Sequence, residues 1–288
     1  MIPVPVSEKI KELLGKETDI LRSASIGGGC INNAMKIETS AGIFFLKWND
    51  AKRYPKMFEA EAKGLTLLKK INAIGIPEVL GAEKAGNYSF IVLEFIEAAP
   101  RVRNFWQNFG SSLAGLHSNS SELFGLPYDN YIGSLQQSNF QKKIWMEFFI
   151  EGRLEKQIAL AKNSGAIDSA TVQQFNRLYN KLPEIIPEEK PSLIHGDLWN
   201  GNFMTGADGK AWLIDPAVYY GHREMDLAMT KLFGGFSTDF YESYNETFPL
   251  QKGFNNRVDI HNLYPLLVHV NLFGGGYLHE VKNILSRF

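Results

Sequence analysis

The chain has 288 residues, 44% hydrophobic and 21% charged, the composition of an ordinary soluble globular protein long enough for two lobes and a sizeable core. Lys plus Arg number 30 against 31 Asp plus Glu, a net charge of −1, so global basicity gives no support to nucleic-acid binding. The opening MIPVPVSEKI lacks the features of a signal peptide, no apolar run approaches a membrane span, and a single cysteine, Cys30, excludes an internal disulfide; the expected compartment is the cytoplasm.

In chain order, a first short helix is expected with Ser7 as N-cap, Ile10, Leu13 and Leu14 as its stripe and Gly15 as its end. Residues 19–26, 34–39 and 43–48 are β-rich runs separated by Gly-rich or Ser/Gly turns. Residues 57–70 return to helical period, with Phe58, Glu61, Leu65 and Leu68 on one face. Two more strands, 79–83 and 88–95, join near Gly86-Asn87. This order predicts an α+β chain: an antiparallel sheet with one long helix over 1–98, then a mainly helical lobe over 99–288. In that second part helices are expected over 104–117, 141–162, 169–182, 225–233 and 261–271, with a long surface loop over 118–139. Between them lie two short apolar runs, 192–194 and 211–214, each followed by a polar cluster.

The strongest chemical signal follows those runs: His195-Gly196-Asp197-Leu198-Trp199-Asn200-Gly201-Asn202, then Ile214-Asp215-Pro216. Phosphoryl transfer asks mostly for positioning and charge neutralisation. A carboxylate must take the proton of the attacking hydroxyl, and a carboxamide and a second carboxylate must hold Mg²⁺ on the phosphates. Asp197, Asn202 and Asp215 supply that set with the Asp-to-Asn spacing of kinase catalytic loops. The alternative, that they are turn formers, leaves their chemical match and order unexplained. His195 is expected to brace the loop.

Lys47 ends an apolar strand, and Glu61 sits on the inward stripe of the next helix, where an unpaired charge would be costly. Lys47 is its natural partner, and the pair would aim the ammonium at the α- and β-phosphates of ATP. Upstream, Gly27-Gly28-Gly29-Cys30 lies between two strands and lets backbone amides approach phosphate oxygens, although a Gly-rich turn can equally be a plain hairpin. Cys30 is either an inert small hydrophobe or a reactive thiol that would oxidise reversibly, giving a redox-linked dimer in place of a monomer. At the lobe boundary, the backbone of Glu94 and Ile96 is expected to meet adenine.

Taken together, the chain resembles the fructosamine kinase (ketosamine 3-kinase) family, relatives of aminoglycoside phosphotransferases and choline kinases. The resemblance rests on Gly27-Gly28-Gly29-Cys30-Ile31-Asn32, on residues 57–62, on the segment 195–202, on Asp215-Pro216-Ala217-Val218-Tyr219-Tyr220-Gly221-His222 and on Asn271-Leu272-Phe273-Gly274-Gly275-Gly276-Tyr277. It implies a two-lobed protein-kinase-like fold and ATP- and Mg²⁺-dependent phosphorylation of the 3-hydroxyl of a ketosamine, small or protein-bound, leading to deglycation. It implies proton acceptance by Asp197, metal binding by Asn202 and Asp215, and phosphate positioning by Lys47 with Glu61. Trp199 either walls the sugar or simply packs, Glu224 could line a carboxylate mouth for the substrate amine, and Asp226 would brace the catalytic loop. Other readings are an aminoglycoside or choline kinase, or a silent nucleotide-binding scaffold; the intact Lys/Asp/Asn/Asp set argues against silence.

Overall fold

The computed structural model describes residues 1–27 and 31–288, and they divide into two compact units. One comprises Met1–Val102 with Met204–Ile214, the other Arg103–Phe203 with Asp215–Phe288.

The first unit is built on an antiparallel sheet of order β1-β2-β3-β5-β4: β1 Ile20–Ser25, β2 Asn33–Thr39, β3 Gly42–Asp50, β4 Val79–Ala85 and β5 Tyr88–Glu94. Helix α1, Val4–Leu14, lays Val6 and Ile10 on one face of the sheet, against Met35, Ile37, Leu46, Trp48, Phe90 and Val92. Strand alternation then sends Lys47, between Leu46 and Trp48, to the other face. Helix α2, Met57–Ile71, buries Met57, Phe58, Leu65 and Leu68. Helix α1 begins earlier than the sequence suggested, at Val4 after Pro3. A proline within the first helical positions gives up no hydrogen bond, and Ser7 instead bonds back to the Val4 carbonyl at 2.8 Å.

The division by sequence placed residues 204–214 in the second part. The hairpin of β9 (Phe203–Thr205) and β10 (Ala211–Leu213) instead ties back to the first unit: Ala99 N–H donates to Thr205 O, Val102 N–H to Gly209 O and Leu213 N–H to Gly75 O.

The second unit is mainly helical. It contains α3 (Phe105–His117), α4 (Trp145–Glu147) running through a π-helical turn (Phe148–Leu154) into α5 (Glu155–Asn163), and α6 (Ser169–Ile185). Then come α7 (Glu224–Leu232), α8 (Thr238–Thr247), α9 (Phe254–Phe273) and α10 (Tyr277–Leu285). The expected loop 118–139 carries a small hairpin, β6 (Asn130–Ile132) with β7 (Leu135–Gln137). Gln137 Nε2–H donates to Ala217 O and Asn130 Nδ2–H to Val218 O, so buried amides replace the apolar pattern that marks a longer strand. Strand β8 (Ser192–Ile194) pairs antiparallel with β11 (Tyr219–Gly221). Among the described residues, no helix is long and apolar enough to cross a membrane.

Candidate active site

In the first unit, Lys47 Nζ lies 2.6 Å from Glu61 Oε1, and both side chains are almost fully buried. The pairing follows from geometry: β3 presents Lys47 away from the α1 core, and Glu61 falls between Phe58 and Leu65 on the inward stripe of α2. A buried ammonium and carboxylate hold each other's charge, which fixes the lysine tip. Glu94 closes β5, its amide donating to Glu78 O at 2.8 Å, and Ile96 is buried just beyond it. Gly27 follows the hairpin-closing bond from Ile26 N–H to Ala34 O. Gly28, Gly29 and Cys30 lie outside the described residues.

In the second unit, β8 delivers the chain to a tight loop. Gly196 has φ +82°, and a Cβ there would stand 2.1 Å from Ala217 O, so only glycine fits. Asp226, in the first turn of α7, pins the loop from beneath: its carboxylate accepts from His195 N–H at 2.7 Å and Gly196 N–H at 2.8 Å. His117, at the end of α3, donates from Nε2 to the same carboxylate at 3.1 Å, and its Nδ1 meets the Tyr244 hydroxyl at 2.9 Å. The His195 ring accepts the Asp197 amide at 3.3 Å, so this histidine shapes the loop.

Asp197 and Asn202 are in direct contact. The Asn202 carboxamide donates to the Asp197 carboxylate at 2.9 Å and to its backbone carbonyl at 2.8 Å. Burial pushes the Asp197 carboxyl well above the usual range; the Asn202 hydrogen bond opposes this, while the charges of Asp215 and Asp226 add to it. Asp215 stands in the left-handed region at φ +53°, unusual for a side-chain-bearing residue and a frequent mark of functional sites. Asp197, Asp215 and Asp226 together form a set of three carboxylates short of positive charge. A hard divalent cation, which takes oxygen ligands, fits it.

Trp199 is partly exposed, and its indole lies over Gly201, whose Cβ would stand 2.4 Å from the ring. It meets Phe233 edge-on with centroids 5.8 Å apart.

Glu224 does not line a mouth. It is fully buried, accepting from Arg257 Nη2 at 2.6 Å, from Arg257 Nε at 2.8 Å and from His261 Nε2 at 3.2 Å. Burial alone would raise its pKa, but Arg257 and His261 outweigh that and hold it down to about 2. His222, Glu224 and His261 have metal-ligand proximity, but the guanidinium already holds both Glu224 oxygens.

The sequence reading overlooked His117, Tyr244 and Arg257. The first had a signal, a polar residue closing the apolar run of α3; the others are specified only by tertiary contact.

The Asp197–Asn202 contact of the second unit and, separately, the buried Lys47–Glu61 pair on the five-stranded sheet and helix of the first are features suited to an ATP-using phosphotransferase with an alcohol acceptor, the class to which its relatives assign the chain. An aminoglycoside phosphotransferase shares the protein-kinase-like fold at a TM-score of 0.62 and 14% identity, covering 98% or more of each chain. The chain belongs to the fructosamine kinase family, whose model matches residues 4–288. It is 39% identical over 280 residues to a chloroplastic protein-ribulosamine 3-kinase of Oryza sativa subsp. indica, covering 95% of this chain and 80% of that one. The crystal structure of a candidate fructosamine-3-kinase from Thermobifida fusca superposes with a TM-score of 0.89 at 33% identity, covering 99% and 98% of the two chains.

Proposed function

We propose that the protein transfers the γ-phosphoryl group of ATP to the 3-hydroxyl of a ketosamine, either a small adduct or a glycated protein. The observation that carries this is the half-buried Asp197–Asn202 contact, within a chain that matches the family model from residue 4 to residue 288. Asp197 takes the proton of the attacking hydroxyl. Asn202 and Asp215 would hold Mg²⁺, which when bound supplies positive charge against the phosphates and carboxylates. Lys47, fixed by Glu61, meets the α- and β-phosphates, and the backbone at Glu94 and Ile96 meets adenine. Trp199 walls the sugar. The dependence on ATP and Mg²⁺ suits the cytoplasm, and the single cysteine permits a monomer or a disulfide-linked dimer.

Phosphorylation makes a leaving group at C3. Loss of a proton from C1 gives the 1,2-enaminol, whose electron pair expels the 3-phosphate, and water then hydrolyses the resulting imine to free the amine.

The test is an ADP-release assay with a fructosamine, a ribulosamine, an aminoglycoside and choline in parallel. Turnover of one or both ketosamines, with the other acceptors much poorer, is expected. Robust phosphorylation of the aminoglycoside or choline with none of either ketosamine overturns the reading.

A further inference from the structure

Among the described residues, eleven large apolar side chains are exposed, and three of them, Trp199, Phe233 and Phe273, fall on one continuous path of rings. The path starts on the catalytic loop, two residues beyond Asp197. From Trp199 it passes edge-on to Phe233 at 5.8 Å, from Phe233 to His269 at 5.0 Å, and from His269 to Phe273 at 5.5 Å and Tyr277 at 4.9 Å. Its middle is oriented by a hydrogen bond: His269 Nδ1–H donates to Pro265 O one turn back in α9 at 2.7 Å. Its end is set by the chain itself. Helix α9 stops at Phe273, Gly274 and Gly275 turn with φ +64° and +67°, and α10 brings Tyr277 back against His269.

We propose that this aromatic strip is the docking surface for the polypeptide flanking a glycated lysine, with Phe273 as its outer anchor. The inference rests on the ketosamine reading above and names the larger of its two substrate forms as one the enzyme takes.

Two arguments fix the occupant. A sugar at Trp199 needs one ring face, whereas the strip leads outward through three further centroid steps of 5.0–5.8 Å. Followed ring to ring, that path is as long as about five residues of extended chain. A second copy of the protein is disfavoured by area, because three partly exposed rings fall far short of the roughly 800 Å² per partner that stable association buries.

The experiment uses three ribulosamine substrates: the adduct of free lysine, a pentapeptide with the adduct flanked by leucines, and the same peptide with glycines. Wild type, Phe273→Ser and Phe273→Tyr are compared. For wild type, KM for the leucine peptide is expected about tenfold below that for the glycine peptide, the contribution of one aromatic anchor. Phe273→Ser should erase that difference and Phe273→Tyr preserve it, with kinetics on the free adduct unchanged throughout. Because Phe273 is 57% exposed, its replacement leaves the core intact.

Equal KM values for the two peptides in wild type, or equal losses by Phe273→Ser on all three substrates, would overturn the proposal. So would a wild-type dimer that Phe273→Ser dissociates, seen by light scattering, which would assign the strip to self-association. Absence of turnover by wild type on all three ribulosamines and on their fructosamine counterparts would remove the ketosamine reading, and this inference with it; turnover without a leucine preference would remove this inference alone.

Discussion

Replacing Glu224 by glutamine separates a structural carboxylate from a substrate contact. The side chain is fully buried, and both oxygens accept from the Arg257 guanidinium. Glutamine keeps the shape but leaves Arg257 buried without its counter-charge, a loss of about 3–5 kcal/mol for breaking such a pair. The pKa gives an independent figure: a fall from 4.5 to about 2 corresponds to about 3 kcal/mol. Because the folded pKa lies below the unfolded one, this stability is fully present above pH 4.5 and is lost as pH falls towards about 2. At about pH 3.5 linkage removes roughly 1 kcal/mol of it. Urea unfolding of wild type and Glu224→Gln at neutral pH and at about pH 3.5 should therefore show a large gap that narrows on acidification. KM for the ketosamine should stay within about twofold, since the carboxylate is sealed from any ligand. Equal stability of the two proteins at neutral pH, or a gap independent of pH, would refute the reasoning, and a KM increase alone would return Glu224 to the substrate site.

Asp197→Asn keeps size but removes the proton acceptor. Turnover should drop by about a hundredfold or more while ATP binding, followed by calorimetry, persists; near-normal turnover would exclude Asp197 as the base. Gly196→Ala should cost at least about 1–2 kcal/mol from the left-handed backbone alone, with the 2.1 Å approach to Ala217 O adding to it. Its kcat should fall more than its KM for ATP, and unchanged kinetics would show that the loop tolerates displacement. Glu61→Gln should raise KM for ATP about tenfold through the loosened Lys47, leaving KM for the acceptor alone. A matching rise in both would argue against a role confined to the phosphates.

The parts of the fold legible in sequence are those where local pattern and tertiary demand agree. Strand β3 alternates so that Lys47 must face away from Leu46 and Trp48, and α2 carries a lone carboxylate on an apolar stripe, so the 2.6 Å pair could be read from spacing and the cost of burying charge. The contact between Asp197 and Asn202 was legible because the two residues are chemically matched as well as ordered. The hairpin β6–β7 was not: strands of three residues are too short for a period, and their place is set by Asn130 and Gln137 bonding to the carbonyls of Val218 and Ala217. Nor was residue 204–214's attachment to the first unit, which rests on backbone bonds to Gly75, Ala99 and Val102 that leave no side-chain trace.

Glu224 is the instructive error, because helix geometry contained the correction. Residues two apart on an α-helix point about 200° from each other. Asp226 was expected to brace the catalytic loop, and it does so through His195 N–H and Gly196 N–H. With Asp226 turned to the loop, Glu224 had to face the opposite side of α7. There α9 presents Arg257 and His261, and the interior of the unit rather than a substrate lies against it. The first turn of α7 thus carries two carboxylates with opposite duties, one holding the loop that bears Asp197 and the other neutralising a buried guanidinium. A helix N-terminus favours both through its dipole. What decides between ligand and scaffold is the direction each residue faces, and one secure neighbour two positions away is enough to supply it.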